Sequence, residues 1–489
     1  MVKRRKKNNR KNRNRKGFSQ NRANARKINA STAYETCTEQ LSPFGGLLAL
    51  IKFFDLVNFH KIFNFAYKPP SREPKLGHYS MMVGVLMLLF IGFNRIWHFV
   101  YIRLDAMLCG FFNVNRLPVA STFWRYMNSL GINQAKSLLN VMSILRERVW
   151  QLCEFEFYQI RINIDTTVKT VYGNQQGARK GHNTQHRGKE GLRPILCFIE
   201  ETREYLLGKL RKGVTVTGKE AAQFIADIKR HLPGCVQHVL LRADGEFLSW
   251  EAVKASRKAG FDFIIANRGC TPVFDSDSWY RPYKRKPIEY NSCIYQPGGW
   301  EQAYRFVVMR IPKTLQQPSS QQQCVLFEDD KYMHRIFCTN LNGKAHKIIA
   351  DYDKRADVEN LVGEAKREGL DMMPSAKFKN NYAFFQIVML AYNIWRYMKM
   401  IAQKSLPKNL SDTGSILKGI MTNTVRIARL KLLFIAAKVV RHSGRDKIKY
   451  SIHDSRTQEV LHLLKYLDSA RSAPRPWHGE FIWSLNFAI

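Results

Sequence analysis

Three acids in this chain stand where an acid has little structural reason to be. Asp165 closes the apolar run "YQIRINID", Asp244 closes "HVLLRAD", and Glu359 lies within "DYDKRADVENLVGEAKREGL", residues 351–370. An acid directly after an apolar strand gains little from solvation, although for Asp244 a strand-end turn or helix cap is a second reading. On a helix at about 100° per residue with Tyr352 at zero, Arg355, Glu359 and Lys366 fall at about −60°, −20° and −40°. Val358, Val362 and Ala365 lie between roughly −80° and −140°, so the polar strip borders the face that must dock on a sheet. Asp353, Asp357 and Glu364 point about 100° to 140° from zero and read as solvated partners for Lys and Arg. Two acids on adjacent strands and one on a docked helix can hold two divalent ions about 4 Å apart, one activating a nucleophile and one stabilising the leaving oxygen of a phosphodiester. Mg²⁺ favours such carboxylate-plus-phosphate sites, with Mn²⁺ as a substitute. Arg355 and Lys366 would then hold phosphates, with Tyr352 as a nearby support.

The elements that must position these acids follow from periodicity. Residues 31–155 carry mostly helical signals and read as an N-terminal domain that could bind DNA. Within it, "LPVASTFWRYMNSLGINQAKSLLNVM" offers Ser121 or Thr122 as a cap, a break at Gly131, and Arg125 and Lys136 on its faces. A helix-turn-helix and a plain helical pair are both open. From residue 156 the period changes to strands: "YQIRINIDTTV", "RPILCFIE" and "REYLLGKLR", then a helix, "HVLLRAD", a second helix and "FDFIIAN". Three strands in a meander followed by αβαβ is the order of a ribonuclease-H-like mixed sheet. Crossover handedness sets the strand ending at Asp244 beside the one ending at Asp165. Residues 156–269 and 346–405 are the two parts of this α/β core, the second carrying a helix that begins near Tyr352. Residues 270–345 read as an all-β insertion between them, and 406–489 as a basic C-terminal region.

Charge points to the partner. The 78 Lys and Arg outnumber the 39 Asp and Glu, for a net +39, and a surface with that excess repels itself unless a polyanion neutralises it. Residues 1–30 hold thirteen of the cations and no acid, too polar to fold alone, and read as a disordered basic arm. Subtracting the arm's +13 from +39 leaves +26, so the folded part is itself basic. Nucleic acid is the expected partner. The nine cysteines are scattered singly, as expected of reduced thiols in a cytosol, and no apolar signal region follows the basic start. "MMVGVLMLLFIGF", residues 81–93, is too short for a bilayer, which needs about twenty residues, and reads as a buried core helix.

The spacing of Tyr352, Arg355, Glu359 and Lys366 resembles the Y-(2)-R-(3)-E-(6)-K signature of DDE-type transposases from bacterial insertion sequences. Asp165 and Asp244 sit where that family's first two acids sit. The text around them, "DTTVKTVYGNQQGARKGHNTQHRGKEGLRPIL" included, is similar to the insertion-sequence-4 superfamily, and within it the 1380 branch. The resemblance implies a ribonuclease-H-like catalytic domain with a β insertion between the second Asp and the Glu. It further implies Mg²⁺-dependent cut-and-paste DNA transposition on terminal inverted repeats and target DNA. A homodimer in the DNA complex, in the cytoplasm and at the nucleoid, completes the expectation. A non-catalytic DNA-binding descendant of such an enzyme is the alternative.

Other candidates carry weaker signals. Lys180, His182, His186, Arg187 and Lys189 follow the first Asp among glycines, as in a loop that grips phosphate or in an ordinary hairpin. The two histidines lack a second Cys or His pair at zinc spacing. Trp300 follows a Gly pair and could stack on an unpaired base, or pack in a core. Deleting residues 1–28 is expected to weaken DNA binding, measured by fluorescence anisotropy, while leaving cleavage at low salt intact; complete loss of cleavage would contradict a purely electrostatic arm.

Overall fold

The computed structural model describes residues 28–181, 186–313, 331–406 and 415–473. His182 therefore lies outside the described residues, as does nearly all of the basic arm. Residues 1–39 and 40–489 are separate compact units, and residues 28–39 of the first carry no helix or strand.

The second unit is built on an eight-stranded mixed sheet. Its strands are β1 (Gln159–Thr166), β2 (Ile195–Ile199), β3 (Tyr205–Lys209), β4 (His238–Ala243), β5 (Asp262–Ala266), β6 (Glu289–Tyr295), β7 (Tyr304–Pro312) and β8 (Tyr332–Thr339), in the order β6-β7-β8-β5-β4-β1-β2-β3. β1 runs parallel to β4 and β4 parallel to β5, whereas β2 and β3 extend the sheet antiparallel. All five residues of β2, "ILCFI", are buried, as an apolar run without alternation requires when both faces are covered.

Residues 270–345, expected to interrupt this sheet, prolong it. β8 pairs antiparallel with β5, Phe337 opposite Ala266, and β7 and β6 follow outward. In chain order they lie between Asp244 and Glu359, but in space they share hydrogen bonds with the strands before them.

Seven helices matter for position. They are α1 (His78–Ile91), α2 (Ile132–Cys153), α3 (Gly218–Arg230), α4 (Trp250–Ala259), α5 (Ala345–Asp353), α6 (Asp357–Ala365) and α7 (Phe378–Ser405). α3 starts at a Thr217/Glu220 capping box and ends on Lys229 and Arg230, so both termini are matched to the helix dipole. α1 is buried from Met81 to Ile91 and stacks Phe90 on Trp395 of α7 at 4.0 Å, a core helix as its sequence suggests. Among the described residues no single helix is long and apolar enough to cross a membrane. The helix before α2 runs Ala120–Ser129 from Val119 without a side-chain cap, so Ser121 and Thr122 fall inside its first turn. α2 is buried at every position from Val141 to Trp150, which makes that stretch a core helix.

Behind the sheet one buried acid gathers several elements. Glu204, in the β2–β3 turn, accepts from Arg146 Nε at 2.9 Å and Trp150 Nε1 at 2.7 Å on α2. It also accepts from Tyr397 Oη on α7 and Thr202 Oγ1, each at 2.8 Å. Glu204→Ala strands the Arg146 charge and is expected to cost about 3–5 kcal/mol in urea unfolding; a loss below about 1 kcal/mol would refute that role. Beside this node His231 Nδ1 meets Ser143 Oγ at 2.9 Å, and burial with the nearby Arg146 and Arg230 charges pushes the imidazole down to about 4. The unfolded chain then takes up a proton near pH 6.5 that the fold refuses. Stability should therefore fall as pH drops from 7 towards 4, by about 2 kcal/mol at pH 5 from this group. His231→Asn should remove that part of the slope in paired unfolding curves at pH 7 and 5; an unchanged slope would refute the assignment.

Candidate active site at the strand ends

The parallel register of β1 and β4 sets Ile164 opposite Ala243, so Asp165 and Asp244 emerge side by side at the carboxyl ends of adjacent strands. Neighbouring strands lie about 5 Å apart, which keeps the two acids within reach of one ion or one substrate group. Asp244 turns the chain into a short 3₁₀ helix, Gly245–Phe247, and accepts from the Glu246 backbone N–H at 3.1 Å. The cap reading of Asp244 is thus met, alongside any chemical one. Gly245 has no room for a side chain, because a Cβ there would lie 2.9 Å from Arg268 Cβ.

The stretch 351–370 is not one helix. α5 begins at Ala345, well before Tyr352, and gives way to a 3₁₀ turn at Lys354–Ala356, then α6, then a π turn at Lys366–Leu370. Gly369 at φ +121 ends it. The turn swings Arg355 inward, where its Nη2 donates to Asp165 Oδ1 at 2.9 Å and to Ile164 O at 3.0 Å. Tyr352 is buried against Phe337 at 4.4 Å, with its hydroxyl 3.4 Å from Ala243 O, the carbonyl before Asp244. These two residues fasten the Glu359 segment to both acid-bearing strands. Lys366 Nζ reaches Val168 O at 3.5 Å, just past β1. Glu359 itself is exposed on the first turn of α6.

Glu364 differs from the expectation of a solvated face. It is buried, accepts from Tyr392 Oη at 3.3 Å and receives the Val425 backbone N–H at the start of the helix Val425–Leu432. Packing by residues distant in sequence encloses it. Asp353 and Asp357 do keep to the surface, pairing with Arg335 at 2.6 Å and Arg203 at 2.8 Å.

Sequence reasoning missed Glu246, Arg193 and Thr166. Glu246 accepts from Arg193 Nη2 at 2.6 Å, Thr166 Oγ1 at 3.0 Å and the Val216 backbone N–H at 2.7 Å. This brace ties the residue after Asp165 to the turn after Asp244. The one available signal was a second acid two positions beyond Asp244 in "ADGE". Lys180, Arg187 and Lys189 are exposed on or beside a small sheet of Lys169–Thr170, Arg179–Lys180 and Glu190–Leu192 that leaves the end of β1. Trp300 is half-buried between Trp250 at 5.7 Å and Tyr304 at 5.8 Å.

The electrostatics couple Asp165 to the other two acids. Burial pushes the Asp165 carboxyl up to about 6; Arg355 pulls it down, and the charges of Asp244 and Glu359 push it up. Asp244 is raised as well, first by burial and then by Glu246, against Arg355. Hard carboxylate oxygens without thiol or imidazole suit Mg²⁺ or Mn²⁺, and a dication would relieve the repulsion among them. Among the described residues no three metal-binding side chains close on a single point, and Asp165 Oδ1 faces Arg355. The residues fit such an ion in kind, with the carboxylates still apart.

A family model described as transposase DDE domain, group 1, matches residues 24–472. No curated protein matches the chain. Among solved structures, a cryo-EM piggyBac transposase synaptic complex with hairpin DNA is similar with a TM-score of 0.39 at 11% identity, over 89% of this chain and 86% of that one. The family match spans most of the sequence, and the chain belongs to the group 1 transposase DDE-domain family.

Proposed function

We propose that this transposase cuts and joins DNA by cut-and-paste transposition of an insertion sequence, with Asp165, Asp244 and Glu359 as its catalytic acids. The observation that carries this reading is the pair of contacts from Arg355 to Asp165 and from Tyr352 to Ala243 O, which brings the Glu359 segment to the two aspartates. The strand order β3-β2-β1-β4-β5, with β1, β4 and β5 parallel, supports a ribonuclease-H-like core. The Tyr352, Arg355, Glu359 and Lys366 spacing supports the insertion-sequence-4 superfamily and its 1380 branch.

The three carboxylates would hold two Mg²⁺ ions, which supply an activated nucleophile and stabilise the leaving oxygen of the phosphodiester. Arg355 keeps the Asp165 carboxylate ionised and oriented until a substrate phosphate competes for the guanidinium. Lys366, half-buried at the edge of the site, and the exposed Lys180, Arg187 and Lys189 would contact backbone phosphates, which position DNA without reading it. A homodimer that brings two element ends together is part of the same proposal.

Purified protein with Mg²⁺ and a duplex bearing the terminal inverted repeats should nick at the repeat end. Glu359→Gln removes one charge with little change in shape, and its cleavage rate is expected to fall by about 10²–10³-fold with DNA affinity retained. Undiminished nicking by that variant would sink the assignment; tight binding with no cleavage by the unaltered protein would favour the binding-only alternative.

A further inference from the structure

The segment "AKVVRHSGRDKIKY" forms an antiparallel ribbon of Ala437–His442 and Arg445–Tyr450, with Gln40–Ser42 paired along its far edge. Ser443 and Gly444 make the two-residue turn, with φ of 50° and 72°. Both positive values mark the turn class whose twist matches a hairpin, and glycine takes the second at no steric cost. The register therefore fixes which side chains share a face.

Directly opposed residues point the same way. On one face Ala437, Val439, Ile448 and Tyr450 turn towards the core, Tyr450 Oη donates to Gly45 O at 3.0 Å, and Arg441 stands opposite Asp446. On the other face are Lys438, Val440, His442, Arg445, Lys447 and Lys449. Lys438 opposes Lys449 and His442 opposes Arg445, while His442, Arg445, Lys447 and Lys449 are exposed. Arg445, Lys447 and Lys449 take alternate positions on the second strand of the ribbon and are all exposed, a crowding of like charge that a polyanion would relieve.

We infer that the outer face of this ribbon is a duplex-DNA contact surface, gripping backbone phosphates through Arg445, Lys447 and Lys449. The inference rests on the DNA-acting function proposed above. Alternate residues along a strand lie about 7 Å apart, so Arg445, Lys447 and Lys449 form a cation row about 14 Å long. B-DNA presents one charge per about 1.7 Å of axis, and its major groove, about 12 Å wide, admits a two-stranded ribbon. The row carries donors for phosphate and no side chain that must read a base edge, so its contribution should be the same for any duplex sequence.

The test uses full-length protein and a fluorescent duplex, titrated in EDTA at several salt concentrations. Arg445→Ala/Lys447→Ala/Lys449→Ala should lower the slope of log K against log salt by about 2–3, since each phosphate contact contributes about 0.9. The loss should be equal on unrelated duplexes. A control of equal charge, Lys219→Ala/Lys229→Ala/Lys258→Ala, removes exposed cations from α3 and α4 and should change the slope by less than about 1. The swap Arg445→Lys/Lys447→Arg/Lys449→Arg should keep the unaltered slope, which separates charge from folding. An unchanged slope in the alanine triple, or an equal drop in the control, overturns the ribbon assignment. Because no metal is present, a cleavage defect elsewhere leaves this readout intact. Failure of the unaltered protein to bind any duplex overturns both readings.

Discussion

The site hangs on one ion pair. Arg355 and Asp165 meet at 2.9 Å with only 10% and 16% of their side chains exposed, and the same guanidinium nitrogen also holds Ile164 O. Breaking an enclosed pair by removing one partner leaves an uncompensated charge, which costs far more than the pair's net contribution. The segment that presents Glu359 is therefore tied in place by a charge the aspartate already requires. Tyr352 adds a second tie to β4, and the 3₁₀ turn between α5 and α6 lets both residues face the sheet.

The opposite side of that segment is held as firmly. Glu364 takes the Val425 backbone N–H, and Glu368 pairs with Arg429, whose Nε donates to Phe90 O at 2.8 Å. Acids on the front and back of one short stretch thus reach different layers of the fold. In a chain at +39, buried carboxylates are scarce and each can recruit several donors. Glu204 and Glu246 follow the same pattern, each accepting three or more hydrogen bonds from separate elements.

Much of the core was legible from local pattern. The runs ending at Asp165 and Asp244 are strands, and the helix expected before "HVLLRAD" is there as Gly218–Arg230. The placement of β4 beside β1 followed from connection handedness. What stayed hidden was set by long-range contacts. The merging of β6–β8 into the main sheet depends on the edge of β5, and no local periodicity reports which edge a strand will choose. Glu364 shares its polarity and spacing with Asp357, and only Val425 and Tyr392 make it a buried residue. The helical wheel grouped Arg355 with Glu359, but the 3₁₀ turn buries the first and leaves the second exposed.

The distribution of charge follows a physical division of labour. Burial raises the Asp165 carboxyl at the strand end and the charges of Asp244 and Glu359 raise it further, a cost that a bound cation would relieve. Arg445, Lys447 and Lys449 crowd one exposed strand of the outer ribbon, a repulsion that a bound anion would relieve. DNA with bound dications carries both counterparts. On the function proposed above, binding energy would fall where these two surfaces meet the same ligand.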